Sequence, residues 1–396
     1  MSDTLKRRIG LPLLVAYGVG VMVGAGIYVL VGAVAAQAGI WAPLAFLIAG
    51  CVALPSALSY AELASRMPEA AGEVAYVESG LGSRALAEVV GLAIVIAGMI
   101  SAAAVLRGGA GYFIALVPID MTVAIVIAGV ALTAIAIAGV LESMAFAALF
   151  TLAEATGLVL VAWAGFSGAP VPDWTAPAAP YLPGIAAAVA LCFFAFIGFE
   201  DLVNMAEEVR DPTRIMPRGI LIALAITAVL YALVSLAAVR AVPLEELAAS
   251  EQPLALVWEE GTGRSAGFLS AIAVMAAVNG VLAQIVMAAR VMLGLGRRAR
   301  WLQVFAEVHP RYGTPLRASV LAGAVVILAA LALPVAVLAE ATAYVLFAVF
   351  ILVNLSLIRL KLRLPAAPFR TPLWVPVAGL ALAVAALLAS LWGTMS

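Results

Sequence analysis

The chain has 396 residues, of which 66% are hydrophobic and 11% charged, and its mean hydropathy is +1.17. Soluble domains carry about 25% charged residues, so this composition excludes a water-exposed globular surface and leaves a polytopic membrane protein. A formal charge of −1 from 21 basic and 22 acidic residues carries no nucleic-acid signature. The two cysteines, Cys51 and Cys192, lie in apolar runs, which excludes a disulfide scaffold and predicts that both are buried.

Residues 1–10 form a polar amino-terminal tail with Lys6, Arg7 and Arg8. The apolar run from Leu11 to about Ala38 is too long for a signal-peptide core and reads as a retained first span. A hydrocarbon core of about 30 Å needs roughly 20 helical residues. Eleven stretches meet or approach that length, at 11–38, 42–65, 84–117, 121–140, 142–165, 184–206, 216–240, 266–293, 316–333, 336–360 and 372–392. Two of the turns are very short, at 139–142 and at Leu333-Pro334, where proline removes the donor that a continuing helix needs. The segment 166–183, rich in Pro and Gly with Trp174 and Tyr181, reads as an extracellular loop. The acidic segment 241–265 is predicted to hold a short surface helix around Leu244–Ala249.

Charge placement fixes the expected orientation. Eighteen of the 21 basic residues fall on one side of this arrangement, while Glu245, Glu246, Glu251, Glu259 and Glu260 fall on the other. The positive-inside rule then predicts a cytoplasmic amino terminus and, with eleven spans, an extracellular carboxyl terminus in a multi-pass cell-membrane protein. The basic run Arg290 to Arg300 suits contact with anionic lipid.

Two spans look interrupted. The first carries Gly18, Gly20, Gly24 and Gly26 between Tyr17 and Tyr28; the sixth carries Phe193 to Glu200 around Gly198. Close helix packing alone would account for either glycine cluster. Their positions add more, because spans one to five (11–165) and six to ten (184–360) make two halves of five. An odd number per half gives the halves opposite orientation, the inverted-repeat plan of secondary transporters, with 372–392 as an additional helix. Backbone groups freed at a break cost several kcal/mol each in lipid and must face protein, water or substrate. An amino acid zwitterion fits such a place. Its carboxylate takes N–H groups at a half-helix amino end, and its ammonium takes carbonyls at a half-helix carboxyl end.

Charges at depth are the other candidates. Glu154 lies 12 residues into the fifth span, roughly 18 Å along a helix and near the midplane, which makes it a candidate for proton coupling or for a static interhelical hydrogen bond. Glu200 beside the second break either gates the site or ties down the unwound stretch. Arg107 lines an outer vestibule, balances an acid or pairs structurally. Asn279, followed by Gly280 in span eight, is either an ordinary membrane polar residue or a secondary candidate for a site near a bend. There is no Gly-rich motif ending in Gly-Lys-Ser/Thr, no Cys/His cluster around the single His309, no dinucleotide fingerprint and no Ser/His/Asp arrangement. No cofactor, no metal site and no enzymatic activity are expected.

Four stretches carry a family resemblance: Val23-Gly24-Ala25-Gly26-Ile27-Tyr28; Leu58 to Glu73; Phe193 to Glu200 continuing to Pro212; and Ala288-Ala289-Arg290-Val291 with His309-Pro310-Arg311-Tyr312. In these the chain resembles the amino acid–polyamine–organocation superfamily, and its prokaryotic amino acid permeases in particular. The resemblance implies an all-α inverted five-plus-five fold with broken helices one and six, working by alternating access. It implies that the substrate carboxylate meets the backbone of Gly24, Ala25, Gly26 and Ile27. It places the ammonium near carbonyls of the first break and of Phe194, Ala195 and Ile197. Phe194 matches an aromatic gate, Gly198 gives room at the break, and Glu200 matches an acid that links span six to its neighbours. Relatives usually have twelve spans, whereas this chain has eleven with the core ten intact.

Sodium-coupled relatives use hydroxyl side chains that Ala276 to Leu282 do not supply as a Ser/Thr pair, and the lysine that some relatives carry in span five is absent. Glu154 occupies that neighbourhood with the opposite charge. The expected function is a secondary transporter of amino acids, neutral ones foremost, with proton coupling, exchange and facilitated uptake left open. A polyamine or organic-cation transporter is the nearest competitor, and a non-transporting membrane receptor the competitor from another class. The expected partners are the amino acid and the lipid bilayer.

Overall fold

The structure, a computed structural model, describes residues 7, 9–24, 26–68, 72–138, 144–176, 178–206 and 208–393. Its helices are α1 (Leu11–Val23), α2 (Gly26–Ala38), α3 (Ala42–Arg66), α4 (Gly72–Leu81), α5 (Arg84–Ile114), α6 (Met121–Ala138), α7 (Met144–Ser167) and α8 (Pro172–Thr175). They continue as α9 (Leu182–Phe196), α10 (Pro212–Ala241), α11 (Leu244–Ala249), α12 (Pro253–Thr262), α13 (Gly267–Arg298), α14 (Leu316–Ala332), α15 (Val335–Arg363) and α16 (Trp374–Gly393). A helix satisfies its own backbone, which lipid cannot do for it. Pro12, Pro43, Pro212 and Pro253 stand in first turns, where the missing donor is not needed. Ser83 accepts the Leu86 N–H to start α5, and Asp120 accepts the Thr122 N–H to start α6.

Among the described residues, eight helical stretches are long and apolar enough to cross a membrane, and Leu11–Val23, Leu316–Ala332 and Trp374–Ala389 are shorter apolar helices beside them. Helices α1 and α2 are two halves of one crossing, and a 3-10 turn at Gly39–Trp41 separates α2 from α3. Helix α2 packs on α9, α3 on α10, α5 on α13 and α6 on α14. Each of these pairs joins a helix of residues 11–165 to one of residues 182–360.

Several sequence expectations are corrected here. Cys192 is buried, but Cys51 is exposed. It sits between Leu47 and Leu54, which are 47% and 43% exposed; spacings of four and three put all of them on one outward helix face. Helix α13 runs on to Arg298 and is continuous through Asn279 and Gly280. The short helix Leu244–Ala249 is present, and a second, α12, follows it. The loop after α3 contains α4, which the sequence did not announce. The turn at 139–142 lies outside the described residues.

A buried ion network fixes one end of the bundle. Glu62, fully buried on α3, accepts from Arg66 at 2.7 Å, Lys361 at 2.6 Å and the backbone N–H of Thr371 at 2.8 Å. Arg66 also donates to the carbonyls of Leu364 and Ala366. The connection between α15 and α16 is thereby fastened to the end of α3. Removing one member would strand a buried charge, a loss of about 3–5 kcal/mol.

Candidate functional site between two helix breaks

The first break is a backbone event at Gly24, where φ is 22° and ψ −152°. Helix α1 ends at Val23 and α2 begins at Gly26. The N–H groups of the first turn of α2, from Gly26 onward, therefore have no acceptor within their own helix. The second break follows Phe196: Ile197 turns to φ −59°, ψ 135°, and Gly198 takes φ 125°, a region that only glycine enters freely. A 3-10 turn, Asp201–Met205, continues the crossing.

The two breaks touch. A Cβ on Gly198 would lie 2.7 Å from Val21 Cγ1 and 3.1 Å from the Met22 nitrogen, both at the end of α1. A Cβ on Gly26 would lie 3.5 Å from the Ala195 Cα and 3.9 Å from Phe194 Cε1. One turn earlier Gly20 is required, because any Cβ there would collide with Thr151 of α7. Ile27, Phe194 and Ile197 are 0%, 5% and 9% exposed, so the structure holds this place closed.

Three of the four phenylalanines at the second break are used in packing. Phe193 stacks on Phe347, Phe196 on Tyr231 and Phe199 on Tyr60. Phe194 makes no ring contact among the described residues and lies instead beside Gly26. Glu200, 4% exposed, accepts the Gly198 N–H at 3.0 Å and so stabilises the unwound turn. Ala25 lies outside the described residues.

The sequence did not single out Tyr231. Its ring is fully buried on α10, and its hydroxyl donates to the Met22 carbonyl at 2.6 Å and the Ala195 carbonyl at 2.8 Å. Both carbonyls are orphaned by the breaks: their helical partners would have been the N–H groups four residues on, at Gly26 and Phe199. One hydroxyl proton serves two acceptors, so acceptor capacity remains at the junction. A ligand ammonium, with three donors, suits that capacity.

A second tyrosine chain runs along the same wall. Tyr112 of α5 donates to the Tyr28 carbonyl at 2.6 Å, and the Tyr28 hydroxyl donates to the Glu154 carbonyl at 2.9 Å. This ties α5, α2 and α7 together. The Glu154 side chain is 1% exposed, and neither carboxylate oxygen has a hydrogen-bond partner among the described residues. Arg107 stands apart from this cluster; it donates to the Ala330 carbonyl at 2.8 Å and joins α5 to α14. Asn279 is half-buried on the continuous α13.

On the side of the amino terminus, Ile9 closes the floor. Its N–H donates to the Glu208 carbonyl at 3.0 Å and its carbonyl accepts from Arg210 at 2.9 Å, tying the approach to α1 to the exit from the second break. Helix α4 lies at the same end, outside the spans. Burial holds its Glu73 up to about 8 from an ordinary 4.5, and the negative charge of Asp201 adds to the effect. The folded chain thus keeps a proton that the unfolded chain releases above about 4.5, so stability falls as pH rises towards 8. The slope from this group is at most about 1.4 kcal/mol per pH unit. Thermal unfolding in detergent between pH 5 and 9 should show this fall, and Glu73→Gln should flatten it.

Residues 9–394 match the family model described as amino acid permease. The chain is 27% identical to the branched-chain amino acid permease of Bacillus subtilis (strain 168), over 96% of this chain and 87% of that one. It is 30% identical to the methylthioribose transporter of the same organism, over 95% and 86%. It is also 31% identical to the vacuolar cationic amino acid transporter 4 of Arabidopsis thaliana, over 85% of this chain and 60% of that one.

Proposed function

The chain belongs to the amino acid permease family, whose members are membrane transporters rather than enzymes, and from that premise we propose that it carries neutral amino acids across the cell membrane by alternating access. The observation that carries this reading is the contact between the two breaks, with free donors at the start of α2 and shared acceptors at Met22 and Ala195. The substrate carboxylate meets the backbone of Gly24 to Ile27. The ammonium meets the carbonyls around Phe194, Ala195 and Ile197, and Phe194 closes over the remainder. Recognition of this kind needs no dedicated charged side chain, which supports a neutral amino acid.

The amino terminus is cytoplasmic in this reading. Glu154 carries the coupled proton, because an ionised and unpartnered carboxylate at that depth is costly. The same unpartnered carboxylate supports a second reading, in which it balances the side chain of a cationic amino acid.

Counterflow in liposomes with labelled L-leucine, L-lysine and 1,4-diaminobutane, with and without a pH gradient and with sodium removed, separates these readings. Saturable, stereoselective L-leucine counterflow that accumulates with the proton gradient is the expected result. Saturable binding without flux would mean a receptor, and preference for L-lysine would favour the second reading. Phe194→Ala should raise the half-saturation concentration about tenfold, which at about 1.4 kcal/mol matches loss of one aromatic lid contact. An unchanged half-saturation would remove Phe194 from the lid role.

A further inference from the structure

A cavity of about 310 Å³ lies away from the two breaks, on the face opposite the amino terminus. Its walls come from the end of α5, from the segment spanning α11 and α12, and from the start of α13. Glu251, Gln252, Glu259, Ser250, Ser265 and Ser270 supply its polar lining, the Gln252 amide donating to the Gly111 carbonyl at 3.0 Å, and no Lys, Arg or His lines it. Ser270 is 2% exposed, and its hydroxyl makes no hydrogen bond among the described residues although it lines the cavity. The Glu251 carboxylate has no ion-pair or hydrogen-bond partner among them either. Glu259 uses a single oxygen, Oε1, to accept the Ala266 N–H at 3.2 Å, leaving the other free.

Two carboxylates and an idle buried hydroxyl around an unneutralised cavity attract a cation. A metal ion is a poor match, because no group of three or more His, Cys, Asp or Glu stands together among the described residues. The volume is instead at the lower end of small-molecule pockets, which begin near 300 Å³. The geometry points to a binding site for a small organic cation bearing a primary ammonium, separate from the site between the breaks. The ammonium donates charge-assisted hydrogen bonds to the Glu251 and Glu259 carboxylates, and the Ser270 hydroxyl accepts a further one. Such a ligand joins the α11–α12 segment to α5 and α13, helices that also pack on each other deeper in the molecule.

The test uses the full chain purified in detergent and isothermal titration with 1,4-diaminobutane, with 1,4-butanediol as the uncharged control. Saturable binding of the diamine, weakened by added salt and absent for the diol, is the expected result. The double variant Glu251→Gln/Glu259→Gln should lose at least tenfold in affinity at an unchanged melting temperature. Ser270→Ala should lose severalfold, and Phe194→Ala should bind as wild type does. Absence of saturable heat in the wild type, equal affinity in the double variant, or loss of binding in Phe194→Ala would each overturn the assignment. Saturating L-leucine leaves the diamine isotherm unchanged if the two sites are distinct, and displacement would overturn it as well.

Discussion

Replacing Tyr231 with phenylalanine is expected to lower counterflow ten- to a hundredfold in a protein that still folds. The ring stays, and with it the contacts to Phe196 at 5.2 Å and Phe46 at 5.6 Å. Only the hydroxyl goes. Two buried carbonyls, one from each break, then lose their shared donor. An orphaned buried acceptor costs about 1–3 kcal/mol, and each 1.4 kcal/mol is about tenfold in an equilibrium constant. The carbonyls satisfy themselves by turning away from the junction, so the acceptors no longer stand ready for a substrate ammonium. Half-saturation and maximal rate of counterflow, with the melting temperature measured alongside, check this. Transport within twofold of wild type would mean that the hydroxyl is only a packing detail.

Glu154→Gln should abolish accumulation driven by a proton gradient, lowering it at least tenfold, while exchange stays within about twofold. Glutamine keeps the volume and polarity of the neutral acid but cannot give up or take a proton. The exchange half of the cycle needs only that the buried group be neutral, and the variant meets that need permanently. Net coupled uptake needs the group to return with a different charge, and the variant cannot do so. Uptake in proteoliposomes with an imposed pH gradient, set beside counterflow without one, separates the two. Equal accumulation by wild type and variant would take Glu154 out of coupling.

The two breaks were legible because glycine leaves a sequence mark wherever backbone must be approached or left-handed. Gly24 and Gly198 both take positive φ, and Gly20 sits where Thr151 of α7 comes too close for a side chain. Glu154 was legible because a charge in an apolar run is rare. Tyr231 was not, since a single tyrosine in an apolar helix carries no periodic signal and its role depends on where α10 meets two other chain segments. The Glu62–Lys361 pair was hidden in the same way, by residues far apart in sequence that only the packed bundle brings together.

The misreading of Cys51 has a physical cause. In water, an apolar residue predicts an inward direction; in lipid both faces of a helix are apolar, so the run around Cys51 gave no direction. The eighth span, by contrast, was legible as one helix: in a bilayer the cost of freed backbone groups keeps α13 helical through Asn279-Gly280.

The most direct measurement is an experimental structure of the chain with its transported amino acid bound. The ligand is expected between Gly24–Ile27 and Phe194–Gly198, its carboxylate on N–H groups of the first turn of α2, its ammonium at the carbonyls that Tyr231 bridges, and Phe194 over its side chain. A ligand held elsewhere, with the helical hydrogen bonds running unbroken through both glycine steps, would contradict it.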